Sequence, residues 1–328
     1  MLWLDTSVLI DFAKIEKGEN VEPIRSKRLT RLRSVVRKAV FAEKLVCPEW
    51  DQSNEYEAKR LEDDIRRIVS DLSCGAHCIP YAGVKDKQIA IGIEAYIAAA
   101  ETMHIPADIH FYRAPLKVVQ EAKRARYIIE SDMKKPVEWI NKADRDKFAI
   151  REAVEELRQA YTAQSQTFEQ QLALERVGES NSMPMMIADF VKSQREHKVD
   201  IWKYMGVEGF FNCMQLYRSL GGPGAGSFES EFVALYSFMQ SPYYWELPIQ
   251  DISCRLSADL TVKHYPIKRG DNYDTQHLAL AIPVAHFVVA DNAMVDRCER
   301  LGIGNKWKTK LYSTRMLDDL SDELAGMV

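Results

Sequence analysis

Short apolar runs stand near the two ends of the chain, and helical periods fill most of the space between them. Leu2-Trp3-Leu4 is closed by Asp5-Thr6-Ser7, with an amphipathic stretch from Val8 to Lys14 behind it. Lys44-Leu45-Val46-Cys47 is a second such run, stopped by Pro48. Strand character returns only near Thr261-Val262, at Phe287-Val288-Val289-Ala290, and in a last short run at Leu311-Tyr312. Runs of this length, bounded by polar residues, read as buried strands. A charged helix is predicted from about Ser53 to Leu72, with Tyr56, Leu61, Ile65, Ile68 and Leu72 as its apolar stripe. Ile89 to Met103, Leu116 to Ile129, Arg145 to Arg176 and Ile187 to His197 also carry the helical period, punctuated by Pro106, Pro115, Pro136 and Pro184. The pattern predicts an α/β chain at both ends with a mostly helical insertion. Residues 1–78 and 250–328 are expected to build one parallel sheet, and residues 79–249 the insertion.

Composition narrows this picture only a little. At 328 residues the chain exceeds one average domain, which agrees with an inserted lobe. Hydrophobic residues make up 46% and charged residues 28%, ordinary for a globular protein with a substantial core. A formal net charge of -4 excludes a globally basic nucleic-acid binder, so any such surface has to be local. Met1-Leu2-Trp3 carries no basic n-region, and no uninterrupted apolar run reaches about 18 residues. The expectation is a cytoplasmic protein without a membrane partner. The six scattered cysteines read as reduced thiols. Cys74-Gly-Ala-His77-Cys78 has zinc-ligand residues but no second ligand pair at finger-like spacing, so it reads as a helix end on Gly75.

The chemistry-bearing feature is where the acids fall. Asp5 and Asp291 each follow a predicted strand, and Asp271-Asn272-Tyr273-Asp274 opens the apolar helical stretch His277 to Ile282. Ligands of open parallel sheets collect at the carboxyl ends of the strands. Several carboxylates gathered there repel each other unless a divalent cation sits among them. The same residues have simpler readings. Asp271 as N-cap with Asp274 three residues on is a capping arrangement, Thr6 or Ser7 serves equally as a cap, and Asn292 is expected to cap the helix that Gly302 ends.

Taken together, strand-Asp5-Thr6-Ser7, Pro48 followed by Glu55, Asp274-Thr-Gln-His277-Leu278-Ala279-Leu280-Ala281 and Val288-Val289-Ala290-Asp291 resemble the PIN-domain nucleases. The resemblance covers the two chain ends and leaves the middle unexplained. It implies a PIN-like α/β/α parallel sheet and a metal-dependent ribonuclease whose acids hold one or two Mg²⁺ or Mn²⁺ ions. On this reading Asp5, Glu55, Asp274 and Asp291 are the catalytic acids, with Asp271 joining them as a metal ligand. Glu55 competes for its place with Glu49, Asp51 and Glu57. Ser7 is assigned to a metal-bound water or the scissile phosphate, and His277, one turn after Asp274, to phosphate contact or to a helix-packing role. The basic run Arg25, Lys27, Arg28, Arg31, Arg33, Arg37, Lys38 is the strong local positive patch. If helical, it turns Leu29, Leu32, Val35, Val36 and Ala39 inward and offers Arg28, Arg31 and Arg37 to backbone phosphates. Pairing with Glu62-Asp63-Asp64 is the other use of that face.

RNA is thus the expected partner, with homodimerisation and a protein inhibitor left open. One rival is a PIN-like nucleic-acid- or protein-binding module that turns nothing over. Another is a haloacid-dehalogenase-type phosphatase, which needs a second aspartate where this chain has Ser7. Gly221-Gly222-Pro223-Gly224-Ala225-Gly226-Ser227 lacks the Gly-Lys-Ser/Thr ending of a P-loop and reads as a flexible connection between helices. Pro242-Tyr243-Tyr244-Trp245 reads as base-stacking or as packing between lobes.

Overall fold

Residues 2–4, 287–290 and 310–313 pair as parallel strands, so the two ends of the chain meet in one sheet. The computed structural model describes residues 1–50, 61–125, 149, 151–156, 158–159, 167–196, 201–263, 267–268 and 270–328. The strands are β1 (Leu2–Leu4), β2 (Phe287–Ala290) and β3 (Lys310–Ser313), in the order β1-β2-β3. Leu4 lies opposite Val289, and Val289 opposite Tyr312. All of β1 and β2 is buried, as parallel strands covered on both faces require. The chain divides into two compact units, one of Met1–Tyr81, Ala107–Ala153 and Lys268–Val328, the other of Ala82–Pro106 and Val154–Ile267. Residues 250–267 therefore belong with the helical unit and 107–153 with the sheet unit, unlike the boundaries expected from the pattern.

The sheet unit carries helices α1 (Thr6–Glu16), α2 (Pro23–Phe41), α3 (Glu62–Ser73) and α5 (Pro115–Ala125), whereas α4 (Tyr81–Ile97) belongs to the helical unit from Ala82 onward. Val8, Leu9, Phe12 and Ala13 make the buried stripe of α1. Leu29, Leu32, Val36, Ala39 and Val40, at three- and four-residue steps, make that of α2. Ile65, Ile68, Val69 and Leu72 do the same for α3, matching the predicted stripe from Ile65 onward. Each fully buried leucine or isoleucine contributes roughly 1.5–3 kcal/mol, an upper estimate because the unfolded chain already buries part of it. After α3 the backbone turns left-handed at Cys74 (φ 49°) and Gly75 (φ 81°), so the expected helix end on Gly75 is found there.

Two predicted strands are corrected. Residues 44–47 form no ladder; they run beside β1 and accept one hydrogen bond, from Leu2 N to Val46 O (2.9 Å). Thr261-Val262 closes a helix instead, because the buried turns preceding it continue through both residues.

The helical unit contains most of α4, then α6 (Phe168–Arg195), α7 (Ile201–Ser219), α8 (Phe228–Met239), α9 (Pro242–Trp245) and α10 (Pro248–Val262). Thr167 and Gln170 form a reciprocal capping box that starts α6, interrupting the helical run expected to continue through 145–176. Pro184, expected to break a helix, lies inside α6. Ile93, Phe210, Met214, Tyr217, Phe238 and Tyr244 are the heart of this unit's core. Gly92 is needed there, since a Cβ would meet the Phe238 ring at 3.1 Å and Tyr243 O at 3.2 Å. The glycine-rich stretch does join α7 to α8, but it is pinned. Tyr217 donates to Pro223 O (2.8 Å) and Gly226 N donates to Glu231 (2.8 Å). Tyr243 and Tyr244 pack within this core.

The remaining elements of the sheet unit are α11 (Asp271–Ala281), α12 (Asn292–Arg300), α13 (Ile303–Trp307) and α14 (Leu317–Ala325). Leu317, Leu320 and Leu324 of α14 are fully buried against α2. No helix among the described residues is long and apolar enough to cross a membrane.

Candidate functional site

Asp5 and Asp291 stand just past the carboxyl ends of adjacent strands, and Asp271 and Asp274 lie in the first turn of α11. Asp5 follows β1 directly, and its backbone N donates to Val289 O of β2 (3.0 Å). Asp291 follows β2. Parallel neighbours lie about 4.8 Å apart, so the two strand ends bring these residues onto the same edge of the sheet. Both are also helix N-caps. Asp5 Oδ1 accepts from Ser7 N (2.9 Å), and Asp291 Oδ1 accepts from Met294 N (2.8 Å). The caps are thus the aspartates and not Thr6, Ser7 or Asn292. Asn292 accepts instead from Thr314 Oγ1 (3.4 Å).

At α11 the cap is Gly270, with Asp271 and Asp274 in the first turn. This corrects the expected arrangement by one residue. Asp271 is 2% exposed; its Oδ2 accepts from Lys268 N (2.8 Å), and its Oδ1 lies 3.7 Å from Arg297 Nη1. The Asp274 carboxylate folds back over Gly270, 3.7 Å from where a Cβ would stand.

Lys268 reaches into this group. Its Nζ donates to Asp291 Oδ2 (2.7 Å). That hydrogen bond raises the lysine above its ordinary pKa against the effect of burial, and the charges of Asp291, Asp271 and Asp274 add to it. Burial pushes the Asp291 carboxyl up, but the bonds from Lys268 and Met294 N and the charges of Lys268 and Arg297 outweigh it and hold Asp291 below the usual range. Arg297, 4% exposed, also donates to Met294 Sδ (3.4 Å). Asp271 and Asp291 therefore share two built-in cations, Lys268 and Arg297. Sequence reading missed both, although the alternation Lys268-Arg269-Gly270-Asp271 was a local sign of charge pairing.

The fit to a hard divalent cation is partial. The donors are carboxylate oxygens, the right kind for Mg²⁺ or Mn²⁺. The Ser7 and Thr6 hydroxyls beside Asp5 are shielded from solvent and have no hydrogen-bond partner among the described residues. Among the described residues, however, no three His, Cys, Asp or Glu side chains stand together as a metal-holding group. The expected convergence of acids is therefore not found among them, and caps and ion pairs engage oxygens of Asp5, Asp271 and Asp291. Glu55, together with its competitors Asp51 and Glu57, lies outside the described residues.

His277 is 5% exposed and sits beside the rings of Trp3 (6.4 Å) and Tyr273 (6.5 Å), an aromatic packing position. The basic face of α2 is occupied by acids other than those expected. Arg28 pairs with Asp318 (2.7 Å), Arg31 with Asp318 and Asp322, Arg33 with Glu16 (2.5 Å) and Arg37 with Asp71 (3.0 Å). Asp11 likewise binds Arg25 (2.7 Å). Lys27 and Lys38 make no ion pair among the described residues. A groove of about 580 Å³ opens between α1 and α2, lined by Phe12, Ile15, Arg33, Ser34, Arg37 and Phe41, and holds none of the candidate acids. No protein-family model, curated protein or solved structure matches the chain.

Proposed function

We propose that the protein is a metal-dependent nuclease that hydrolyses phosphodiester bonds in RNA, with Asp5, Asp274 and Asp291 as its core acids and Glu55 and Asp271 completing the set. The observation that supports this is the pairing of β1 with β2, with Asp5 and Asp291 just past the carboxyl ends of adjacent parallel strands. A Mg²⁺ or Mn²⁺ ion held there would supply a hydroxide nucleophile at neutral pH and offset charge on the phosphate. Asp5 and Asp291, fixed by the strands and by their caps, would hold that cation. Asp274 approaches from the first turn of α11. The free Ser7 hydroxyl orients a water or a phosphate oxygen beside Asp5. The choice of RNA rests on the motif resemblance alone.

A second reading, a PIN-like module that binds without turning over, is favoured by the Lys268 ammonium on Asp291. A Mn²⁺ titration separates the two. In the nuclease reading, Mn²⁺ raises the melting temperature of the parent, by about 2.7 kcal/mol of stabilisation at a hundredfold excess over Kd. Asp5→Asn and Asp291→Asn lose most of that rise together with RNA cleavage, whereas Asp319→Asn, on exposed α14 surface, keeps both. A full Mn²⁺ shift in the two strand-end variants would remove Asp5 and Asp291 from the site.

A further inference from the structure

We propose that the groove between α1 and α2 binds a small amphipathic anion, an apolar body ending in one carboxylate or sulfonate, independently of the acid site. The groove measures about 580 Å³, within the range of roughly 300–1,000 Å³ usual for small-molecule pockets. Phe12 and Ile15 of α1 and Phe41 of α2 supply its apolar lining. Phe41, the last residue of α2, is 50% exposed, a large ring left open to water. Ser34, Arg37, Lys38 and Phe41 recur at helical steps, so one face of α2 presents a hydroxyl, two cations and a ring along the groove. These four residues span about 10 Å of helix axis, room for a fused ring or an alkyl chain with its acid group.

The charge of the walls decides the sign of the ligand. Glu16 is shared by Arg33 and Arg67, and Asp71 by Arg33 and Arg37. Asp64, beside Arg67, is taken by Lys17 (2.7 Å). Glu16 and Asp71 thus serve three guanidiniums, and Lys38 adds an ammonium that makes no ion pair among the described residues. Arg33 Nε is shielded from solvent and has no hydrogen-bond partner among the described residues, and the Ser34 hydroxyl makes no hydrogen bond among them. In a chain of net charge -4 this is a local cationic surplus beside open apolar surface. An anion gains the Lys38 ammonium and the Ser34 hydroxyl while its apolar body covers Phe41. A cation meets the surplus and is repelled, and a neutral molecule leaves the ammonium unanswered.

The test titrates two probes into the full chain by calorimetry, naphthalene sulfonate as a flat aromatic anion and dodecanoate, below its micelle concentration, as a flexible one. The parent is expected to bind at least one of them saturably, and the probe that binds tells whether the apolar body is a ring or a chain. The matching amine, naphthylmethylamine or dodecylamine, is expected not to compete. Lys38→Gln is expected to weaken binding by about fivefold, the limit for one exposed ion pair, and Lys38→Arg to bind like the parent. Ser34→Trp fills the groove from an exposed position and is expected to abolish binding. Lys27→Gln, on α2 but not in the groove lining, is the control and is expected to change nothing. Thermal melts check that each variant folds; should Ser34→Trp fail, Phe41→Ala takes its place and is expected to weaken binding. No saturable binding of either probe to the parent overturns the proposal. So does binding unchanged in Lys38→Gln or in the groove variant, or equal competition by the amine. Each of these outcomes leaves the nuclease reading standing, because Asp5 and Asp291 do not line the groove.

Discussion

Asp5 and Asp291 each commit one carboxylate oxygen to the first turn of the following helix, and this double use is why residue-level reading found the positions but not the partners. An aspartate after a strand and before a helix serves equally as a cap and as a ligand. Only the neighbour that takes the second oxygen distinguishes the two, and at Asp291 that neighbour is Lys268, 23 residues away. Glu231 shows the same rule in the helical unit. Its carboxylate accepts two parallel bonds from Arg218 (2.7 Å each) and one from Gly226 N (2.8 Å), which together hold its pKa down to about 2. A carboxyl with a depressed folded-state value adds stability above its unfolded value, about 4.3, and loses it as pH falls toward the folded value. Glu231→Gln is therefore expected to lower the melting temperature at pH 7, and thermal melts of the two proteins should converge as the pH approaches 2. A constant gap across that range would mean that the carboxylate's charge is irrelevant to this turn.

At the scale of elements, α2 was legible because its apolar residues recur at three and four positions, whatever its charges do. What those charges do was not legible. Acids on α1, α3 and α14 pair with the five arginines from Arg25 to Arg37, and α14 is nearly 300 residues away in sequence. An arginine already paired releases little counter-ion when a phosphate replaces its acid. Replacing Arg28, Arg31 and Arg37 by Gln is thus expected to leave the salt slope of RNA binding unchanged. It should cost at most about 1 kcal/mol of stability per exposed pair. A slope flattened by roughly 0.7 per arginine in a filter-binding series would return this face to nucleic-acid contact. The failed strands have an equally local cause. Residues 44–47 are apolar enough for a strand but meet β1 through one hydrogen bond, and Val262 is β-branched yet ends a helix whose inner face is already buried.

On the scale of the whole molecule, the two chain ends are joined by the β1–β2 ladder and by α14 lying against α2. Leu320 is fully buried at the centre of the α14 stripe and so carries this dependence. Leu320→Ala is expected to cost roughly 2–5 kcal/mol in denaturant melts. Because N- and C-terminal elements share one core, hydrogen exchange should speed up in β1 and α2 along with α14. Faster exchange confined to α14 would show that the ends do not unfold together.

The sequence by itself determined the strands at both ends, the helical character between them, the amphipathic faces of α1 to α3, and the placing of Asp5 and Asp291 at strand ends. These follow from periodicity and from chain direction, which are local properties. The tertiary structure alone decided the order β1-β2-β3, the division that draws residues 107–153 into the sheet unit, and the ion pairs that neutralise α2. It also decided that Lys268 and Arg297 stand among the acids. The physical reason is range. Hydrophobic period acts over one or two turns of chain, whereas a charge finds its partner through space, and nothing in the local pattern states which distant element will be there.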